Sequence, residues 1–338
     1  MARCAALHWS IEHLLHEWAL ALGEAIDLST HKTYGSHLNS YLNFVLLHDL
    51  PVEPTDHTLS LYTVYSVHYI KLDSIDSYLS GICHQLEPYF PNVQEARGSM
   101  LVCRTLRGCK CMKGTAVWHK HTLTLDDLGR IIIYYQLSTQ HDDLLFVMGF
   151  LTGFFALMHL GELSFPNDRS LWDWHKVTWR DSVELNDDFY GFWLPHHKAD
   201  PYFKGNQVII HKEQFRHNPL YHFMRYLESW DHLFPISSPL WITESGSMPT
   251  QSFYISRFHL FFDSSIGGQL MRASGATSLV EHSIPPSIIQ PLGRWSSTAF
   301  LIYIRKSPAL IQALLYSSQH TSRMTSTSSC AGRSVSPG

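Results

Sequence analysis

Hydrophobic residues recur at spacings of three and four through most of residues 9–107, which is the period of an amphipathic helix. In one segment, Tyr34, Leu38 and Tyr41 follow a candidate helix cap at Ser29. Prolines interrupt this pattern in two places, at Pro51 and Pro54 and again at Pro88 and Pro91, and we predict five helical segments in all. We therefore predict that residues 9–107 form a compact, all-helical domain.

A second domain is predicted over residues 122–316, where helical and strand periods both occur. Thr124 is a candidate N-cap for its first helix, and Asp127 occupies the position that closes a capping box. Between Leu171 and Ile210, apolar and polar residues alternate near a period of two, which is typical of a small antiparallel sheet. Helical patterns occupy residues 125–136, 142–158, 219–232, 251–262, 268–282, 285–292 and 308–315. The predicted fold class is mainly α with a small antiparallel β-sheet.

Two segments lack an apolar period. Residues 108–121 contain Gly, Cys and Lys, and we interpret them as a linker between the domains. This part of the chain is basic, because residues 96–120 hold six Lys or Arg and no acidic residue. Residues 317–338 contain eight Ser and three Thr, a composition that predicts a disordered tail.

The net charge of the whole chain is a weak guide to whether the protein binds DNA. The chain has 25 Lys and Arg against 29 Asp and Glu, a net charge of −4, and such an acidic balance by itself argues against a nucleic-acid partner. However, residues 271–320 carry four Lys or Arg and one acidic residue. The sum over the whole chain therefore does not exclude DNA. A hydrophobic content of 45% with ten Trp does exclude a disordered chain.

The most apolar run, Leu144 to Met158, is shorter than the 18 or more residues that a membrane span requires. It predicts a buried helix, and no membrane partner is expected. Six cysteines scattered over 338 residues indicate a reducing compartment rather than a disulfide framework. Cys109 and Cys111 lie near two histidines but lack the pair spacing of a zinc site, so neither a metal nor another cofactor is expected.

The most informative residues lie between Gln269 and Tyr303. Arg272 follows Gln269 by three positions at the start of a helical pattern. Gly293 and Arg294 form a predicted turn, and Tyr303 follows Arg294 by nine residues. In this order and spacing, the chain resembles the tyrosine recombinases of the phage-integrase type. It resembles in particular their fungal, mobile-element branch, which is called Crypton-like.

The resemblance extends upstream and covers about residues 10–316. His159, in the segment Leu-Met-His-Leu-Gly-Glu-Leu, stands where this family carries its first catalytic arginine. Lys198 lies between two predicted strands, where the family places a hairpin lysine, and Lys204 is the alternative. The N-terminal helical domain resembles the family's core-binding domain, which clamps the other face of DNA.

The resemblance implies a reaction at a DNA phosphate that needs no cofactor. Tyr303 would be the nucleophile, leaving a 3′-phosphotyrosine and a free 5′-hydroxyl. Arg272 would clamp the phosphate, because a planar guanidinium fork suits a phosphoryl transition state. Lys198 would protonate the leaving oxygen, and Gln269 and Arg294 would be supporting phosphate contacts.

His159 departs from the family pattern and opens an alternative. A protonated imidazole donates one charged hydrogen bond to a phosphate, but it cannot form the arginine fork. Loss of a transition-state arginine can cost about 10³- to 10⁵-fold in the rate of phosphoryl transfer. The chain is therefore interpreted either as a site-specific recombinase or as a degenerate recombinase that binds DNA without cleaving it.

The resemblance implies that the partner is double-stranded DNA, bound by a homo-oligomer that is a tetramer on paired sites when active. Residence in the nucleus is expected of a eukaryotic DNA recombinase. We expect DNA contacts from six basic residues and one aromatic residue: Lys32, Tyr34, Arg104, Arg107, Lys110, Lys113 and Lys204.

Overall fold

The computed structural model describes residues 8–23, 26–114, 123–197, 200, 202–212, 217–236, 238–263, 267–297 and 300–301. The chain divides into two compact units, residues 1–118 and 119–338, each with its own hydrophobic core. Most of the described chain is helical, and one small antiparallel sheet completes it, so the predicted fold class is confirmed. No helix within these ranges is both long and apolar enough to span a membrane.

The described part of the first unit is helical, with no strand. Its helices are α1 (Ile11–Gly23), α2 (Leu28–Leu47), α3 (Asp56–Ser66), α4 (Ile75–Leu86), α5 (Val93–Gly98) and α6 (Met100–Lys113). Asp27 and Thr55 cap α2 and α3 by accepting backbone N–H bonds from the first turns. The core of the unit forms where the rings of Tyr41 and Tyr62 meet edge to face among buried residues of α3 and α4.

The structure corrects the prediction for residues 93–121 in two ways. The predicted fifth helix is divided at Ser99, whose hydroxyl accepts the N–H of Val102 and begins α6. That helix continues to Lys113, so residues 108–113 of the predicted linker are helical. The sequence hides this because the last turns are polar, yet Cys109 is buried there. Residues 115–121 of the linker lie outside the described residues.

The second unit combines helices with the sheet. Its elements are α7 (Leu125–Tyr135), α8 (His141–Phe155), β1 (Glu184–Leu185), β2 (Phe189–Leu194), β3 (Asn206–His211), α9 (Pro219–Leu233), α10 (Gln251–Phe258), α11 (Leu270–Glu281) and α12 (Pro286–Leu292). Thr124 and Asp127 close a capping box at the start of α7, as the sequence predicts. The strands are antiparallel in the order β1-β2-β3, with Tyr190 opposite Ile210.

Helix α8 is the centre of this unit. Every residue from Leu144 to Met158 is buried, which confirms the buried helix predicted for this apolar run. Helix α11 packs against α8 at close range because Gly275 faces the backbone carbonyl of Phe154, where a Cβ atom would not fit. The close approach fixes the first turn of α11 beside the chain that leaves α8.

The alternation of Trp172, Trp174 and Trp179 does not form a strand, contrary to the prediction. This region consists of single 3₁₀ turns, because the side chains of Asp168 and Asp173 accept backbone N–H groups two residues further on. The tryptophan rings pack on one another instead of along a sheet. The helix predicted over residues 308–315 and the tail over residues 317–338 lie outside the described residues.

Candidate functional site

The chain leaving α8 makes a tight turn that carries His159. Leu157 has a positive φ of 52°, which an L residue with a large side chain rarely adopts. The Glu162 carboxylate then accepts the backbone N–H of His159 at 2.9 Å. The imidazole of His159 is half-buried. We refer to residues 156–162 as the α8 turn.

Arg272 lies in the first turn of α11 and is buried, with 5% of its surface exposed. One terminal nitrogen of its guanidinium donates to the Leu157 carbonyl at 3.0 Å, and the other donates to the Gly293 carbonyl. The ring of Trp295 covers the guanidinium, whose central carbon lies 4.3 Å from the ring centroid. Arg272 therefore ties the α8 turn to the turn that follows α12.

Arg294 reaches the same place from the other side. It follows α12 with a positive φ of 57°, which directs its side chain back toward the α8 turn. Its terminal nitrogens donate to the carbonyls of Ala156 at 3.3 Å and Leu157 at 3.4 Å. One of them also forms an ion pair with Glu162 at 3.2 Å, and both charged side chains are less than a tenth exposed.

The structure thus brings His159, Arg272 and Arg294 together around one turn. Glu162 was given no role in the sequence-based hypothesis, yet it joins His159 and Arg294 through a single carboxylate oxygen. Its signal in the sequence is its place in the segment Leu-Met-His-Leu-Gly-Glu-Leu, which carries part of the resemblance. The arrangement holds two guanidinium groups and one carboxylate in a buried, low-dielectric setting, which is suited to holding an anion at its edge.

Gln269 stands at the N-terminus of α11 and is exposed. The preceding Gly268 lies against the side chain of Leu160, so the start of α11 borders the α8 turn directly. Gln269 therefore lies near Arg272 and the α8 turn.

The loop between β2 and β3 carries the alternative hairpin lysine. Lys204 is exposed, and its ammonium lies 5.8 Å from the ring centroid of Tyr202. Asp200 organises this loop by accepting the backbone N–H groups of Gly205 at 2.8 Å and of Tyr202 at 3.3 Å. Desolvation acts to raise the pKa of the Asp200 carboxyl, but these bonds and nearby His197 lower it on balance. Lys198 and Tyr303 lie outside the described residues.

In the first unit, four of the predicted DNA contacts are exposed on α6. Arg104, Arg107, Lys110 and Lys113 recur every three residues and follow one oblique row along the helix surface. The Lys113 ammonium lies 2.8 Å from Nδ1 of His68. We call this row the α6 basic ridge. It presents the kind of charge that the DNA backbone requires.

Two further candidates lie on α2. Lys32 is exposed, whereas Tyr34 is half-buried and its ring lies 5.3 Å from that of His84. The ring of Tyr34 therefore has a packing role on α4 in addition to any contact with a ligand. Elsewhere on this unit, a cavity of about 460 Å³ is bordered by the carboxylates of Glu53 and Glu95 and does not suit a phosphate.

The sequence matches no protein-family model and no curated protein. The fold, in contrast, is similar to that of lambda integrase. A lambda integrase dimer bound to a COC′ core site is 14% identical, with a TM-score of 0.51, over 87% of this chain and 94% of that chain. A lambda integrase tetramer bound to a Holliday junction is 14% identical, with a TM-score of 0.52, over 86% of this chain and 76% of that chain. At this identity the likeness concerns the fold.

Proposed function

We propose that this protein is a tyrosine recombinase that binds double-stranded DNA and breaks and rejoins it through a 3′-phosphotyrosine on Tyr303. The observation that carries the proposal is the convergence of Arg272 and Arg294 on the α8 turn, in a fold similar to that of lambda integrase. Two fixed guanidinium groups at one buried turn are the arrangement that phosphoryl transfer requires.

In the proposed reaction, the phenolic oxygen of Tyr303 gives up its proton to solvent and forms a bond to phosphorus, while the bond from phosphorus to the 5′ oxygen breaks. A lysine of the β2–β3 loop gives a proton to that leaving oxygen, and Lys198 or Lys204 takes this role. The energy of the broken bond is retained in the phosphotyrosine. A 5′-hydroxyl from another strand then attacks the phosphotyrosine, which restores the DNA backbone and frees Tyr303.

Arg272 would stabilise the negative charge on the phosphate during both steps, and Gln269 would add a neutral donor. In the described structure the terminal nitrogens of Arg272 are engaged by the carbonyls of Leu157 and Gly293. We therefore expect the turn at Gly293 to shift when DNA binds, so that a phosphate oxygen replaces the Gly293 carbonyl as acceptor. The α6 basic ridge and Lys32 would hold the DNA backbone on the first unit.

A second candidate function is DNA binding without cleavage. It is favoured by His159, whose imidazole lacks the fork of an arginine, and by the deep burial of Arg272. Such a protein would keep the fold and the basic surfaces of a recombinase and would have lost the chemistry.

The partner in either case is double-stranded DNA, and an active form would assemble as a tetramer on paired sites. The solved lambda integrase structures are of a dimer and a tetramer on DNA, which supports this part of the proposal. We further propose an origin in a fungal Crypton-like mobile element and residence in the nucleus.

The two functions are separated by a covalent-adduct assay on a pool of nicked duplexes of random sequence. A nick beside the cleavage point lets the 5′ product diffuse away and traps the phosphotyrosine. We expect wild-type protein to form an adduct that resists denaturation and the Tyr303→Phe variant to form none, while both shift DNA in a gel. Equal and negligible adduct from both proteins, with DNA binding retained, would support the binding module instead.

A further inference from the structure

We infer that Arg294, rather than His159, supplies the second positive charge of the phosphate site beside Arg272. This inference deepens the proposed function and rests on it. In this inference the charge comes from the segment after α12, and Glu162 is the residue that positions the Arg294 side chain.

The Arg294 guanidinium lies against the α8 turn. Among the described residues, three of its four hydrogen-bond acceptors belong to the α8 turn: the carbonyls of Ala156 and Leu157 and the carboxylate of Glu162. The remaining one is the neighbouring carbonyl of Leu292. The guanidinium therefore sits over the turn that carries His159, although its backbone belongs to the segment after α12.

Arg294 and Arg272 share a hydrogen-bond acceptor. Both guanidinium groups donate to the Leu157 carbonyl oxygen, so a single oxygen atom separates the two positive charges. A phosphate has several oxygens that accept charged hydrogen bonds from more than one guanidinium at once. An anion that approaches this carbonyl meets both arginines.

The ion pair of Arg294 and Glu162 has unused hydrogen-bonding capacity. Nε of Arg294 and Oε1 of Glu162 are buried, and neither hydrogen-bonds to any residue in the described ranges. A buried guanidinium N–H without an acceptor is costly, and a phosphate oxygen would satisfy it. Leu292 and Ser296 are exposed on either side of this segment, and a phosphate would reach the buried Nε when the turn at Gly293 shifts.

The positive φ of Arg294 supports the same conclusion. A non-glycine residue in this region stores strain, and such strain persists where the surrounding structure holds it in place. Here Glu162 and three backbone carbonyls hold the side chain. The ion pair with Glu162 fixes one edge of the guanidinium and leaves the Nε edge for a ligand. A guanidinium carries its charge at every working pH, whereas a histidine is charged only part of the time near neutrality.

The test measures how DNA affinity depends on salt, because each phosphate contact contributes about one unit to the slope of log K against log salt concentration. Glu162→Gln is compared with the double variant Glu162→Gln/Arg294→Gln, so that neither protein buries an unpaired carboxylate. Thermal unfolding checks that both variants fold. Lys212→Gln, which removes a cation paired with Asp188, serves as the control. The probe is a duplex of random sequence, and the adduct yield on nicked duplexes is measured alongside.

We expect the double variant to lose about one unit of slope and at least tenfold in adduct yield relative to Glu162→Gln. Adding His159→Arg to the double variant should restore both, because it returns a guanidinium to the α8 turn. Equal slopes and yields in Glu162→Gln and the double variant, or no recovery with His159→Arg, would overturn the inference. If Glu162→Gln proves unstable, wild-type protein replaces it as the reference for the double variant, and the same slope answers the question.

The same experiments distinguish an error in the proposed function from an error in the role given to Arg294. If wild-type protein shows no salt-dependent DNA binding, the DNA-binding proposal itself is wrong. If wild-type protein binds DNA and forms an adduct that is insensitive to Arg294, only the present inference is wrong. If it binds DNA without an adduct, the slope alone decides whether Arg294 faces a phosphate.

Discussion

Arg272 and Arg294 donate hydrogen bonds to the same atom, the carbonyl oxygen of Leu157, at 3.0 and 3.4 Å. The two side chains come from α11 and from the turn after α12, and they meet on the chain that leaves α8. Three elements that are distant in sequence are therefore joined by one acceptor. The ion pair between Arg294 and Glu162 stabilises this junction, and both charged side chains are nearly inaccessible to water.

Removal of one partner of this buried pair should destabilise the fold strongly. We expect Glu162→Ala to lower the free energy of unfolding by about 3–5 kcal/mol, because it leaves the Arg294 charge buried and unpaired. Urea denaturation followed by circular dichroism measures the change. Asp76→Ala is the matched control, since it breaks a partly exposed pair with Arg97 and should cost less than about 1 kcal/mol. Similar effects of the two substitutions would contradict the buried junction.

Two glycines in helices should respond to alanine in opposite directions. Gly275 packs against the Phe154 carbonyl, so Gly275→Ala should destabilise by about 1–3 kcal/mol through overpacking. Gly108 has open space around it and lies within α6, so Gly108→Ala should stabilise by about 0.5–1 kcal/mol. Thermal unfolding of the two variants is the measurement. A destabilising Gly108→Ala would show that residues 108–113 are not helical in solution.

The α6 basic ridge should contribute to DNA affinity without contributing to sequence preference. Arg107→Ala and Lys110→Ala should each reduce the salt slope of DNA binding by about one unit, and together by about two. Fluorescence anisotropy with labelled duplexes at several salt concentrations measures the slope. Lys212→Ala, on the second unit, should leave it unchanged. The ridge assignment would be wrong if the ridge variants and Lys212→Ala gave the same slope.

The hairpin loop should lose stability in acid because of Asp200. The pKa of this carboxyl is lower in the folded protein than in the unfolded chain, so the ionised form favours folding. Its contribution is complete above the unfolded value of about 4 and is lost as the pH falls through the lowered folded value. The difference in unfolding free energy between wild-type protein and Asp200→Asn should therefore shrink from pH 5 to pH 2.5. A difference that stays constant over this range would contradict the assignment.

Local sequence rules predicted those elements in which the residues' own preference for helix or for burial matches the place that they take in the fold. The capping box of Thr124 and Asp127 began α7 where expected, and the apolar run from Leu144 placed α8 in the core. The rules failed for Trp172 to Trp179, because aspartate side chains compete for backbone N–H groups that a strand would use. They also ended α6 too early, since nothing in its polar last turns signals that Cys109 is buried.

For the site, the resemblance brought Arg272, Arg294 and His159 into one hypothesis, and the structure places them around one turn. The role of Glu162 could not be predicted, because it depends on the backbone at two unusual positions. Leu157 and Arg294 both adopt a positive φ, which neither residue type favours. Such conformations are imposed by tertiary contacts, and no local pattern marks them.

The account is tested most directly by finding which residue becomes attached to DNA. Wild-type protein is incubated with nicked duplexes, digested with trypsin and nuclease, and analysed by mass spectrometry. Our account predicts a peptide that contains Tyr303 and carries a 3′-linked nucleotide, and the same peptide unmodified in Arg272→Ala. DNA binding with no modified peptide, or a nucleotide attached to a residue other than Tyr303, would contradict it.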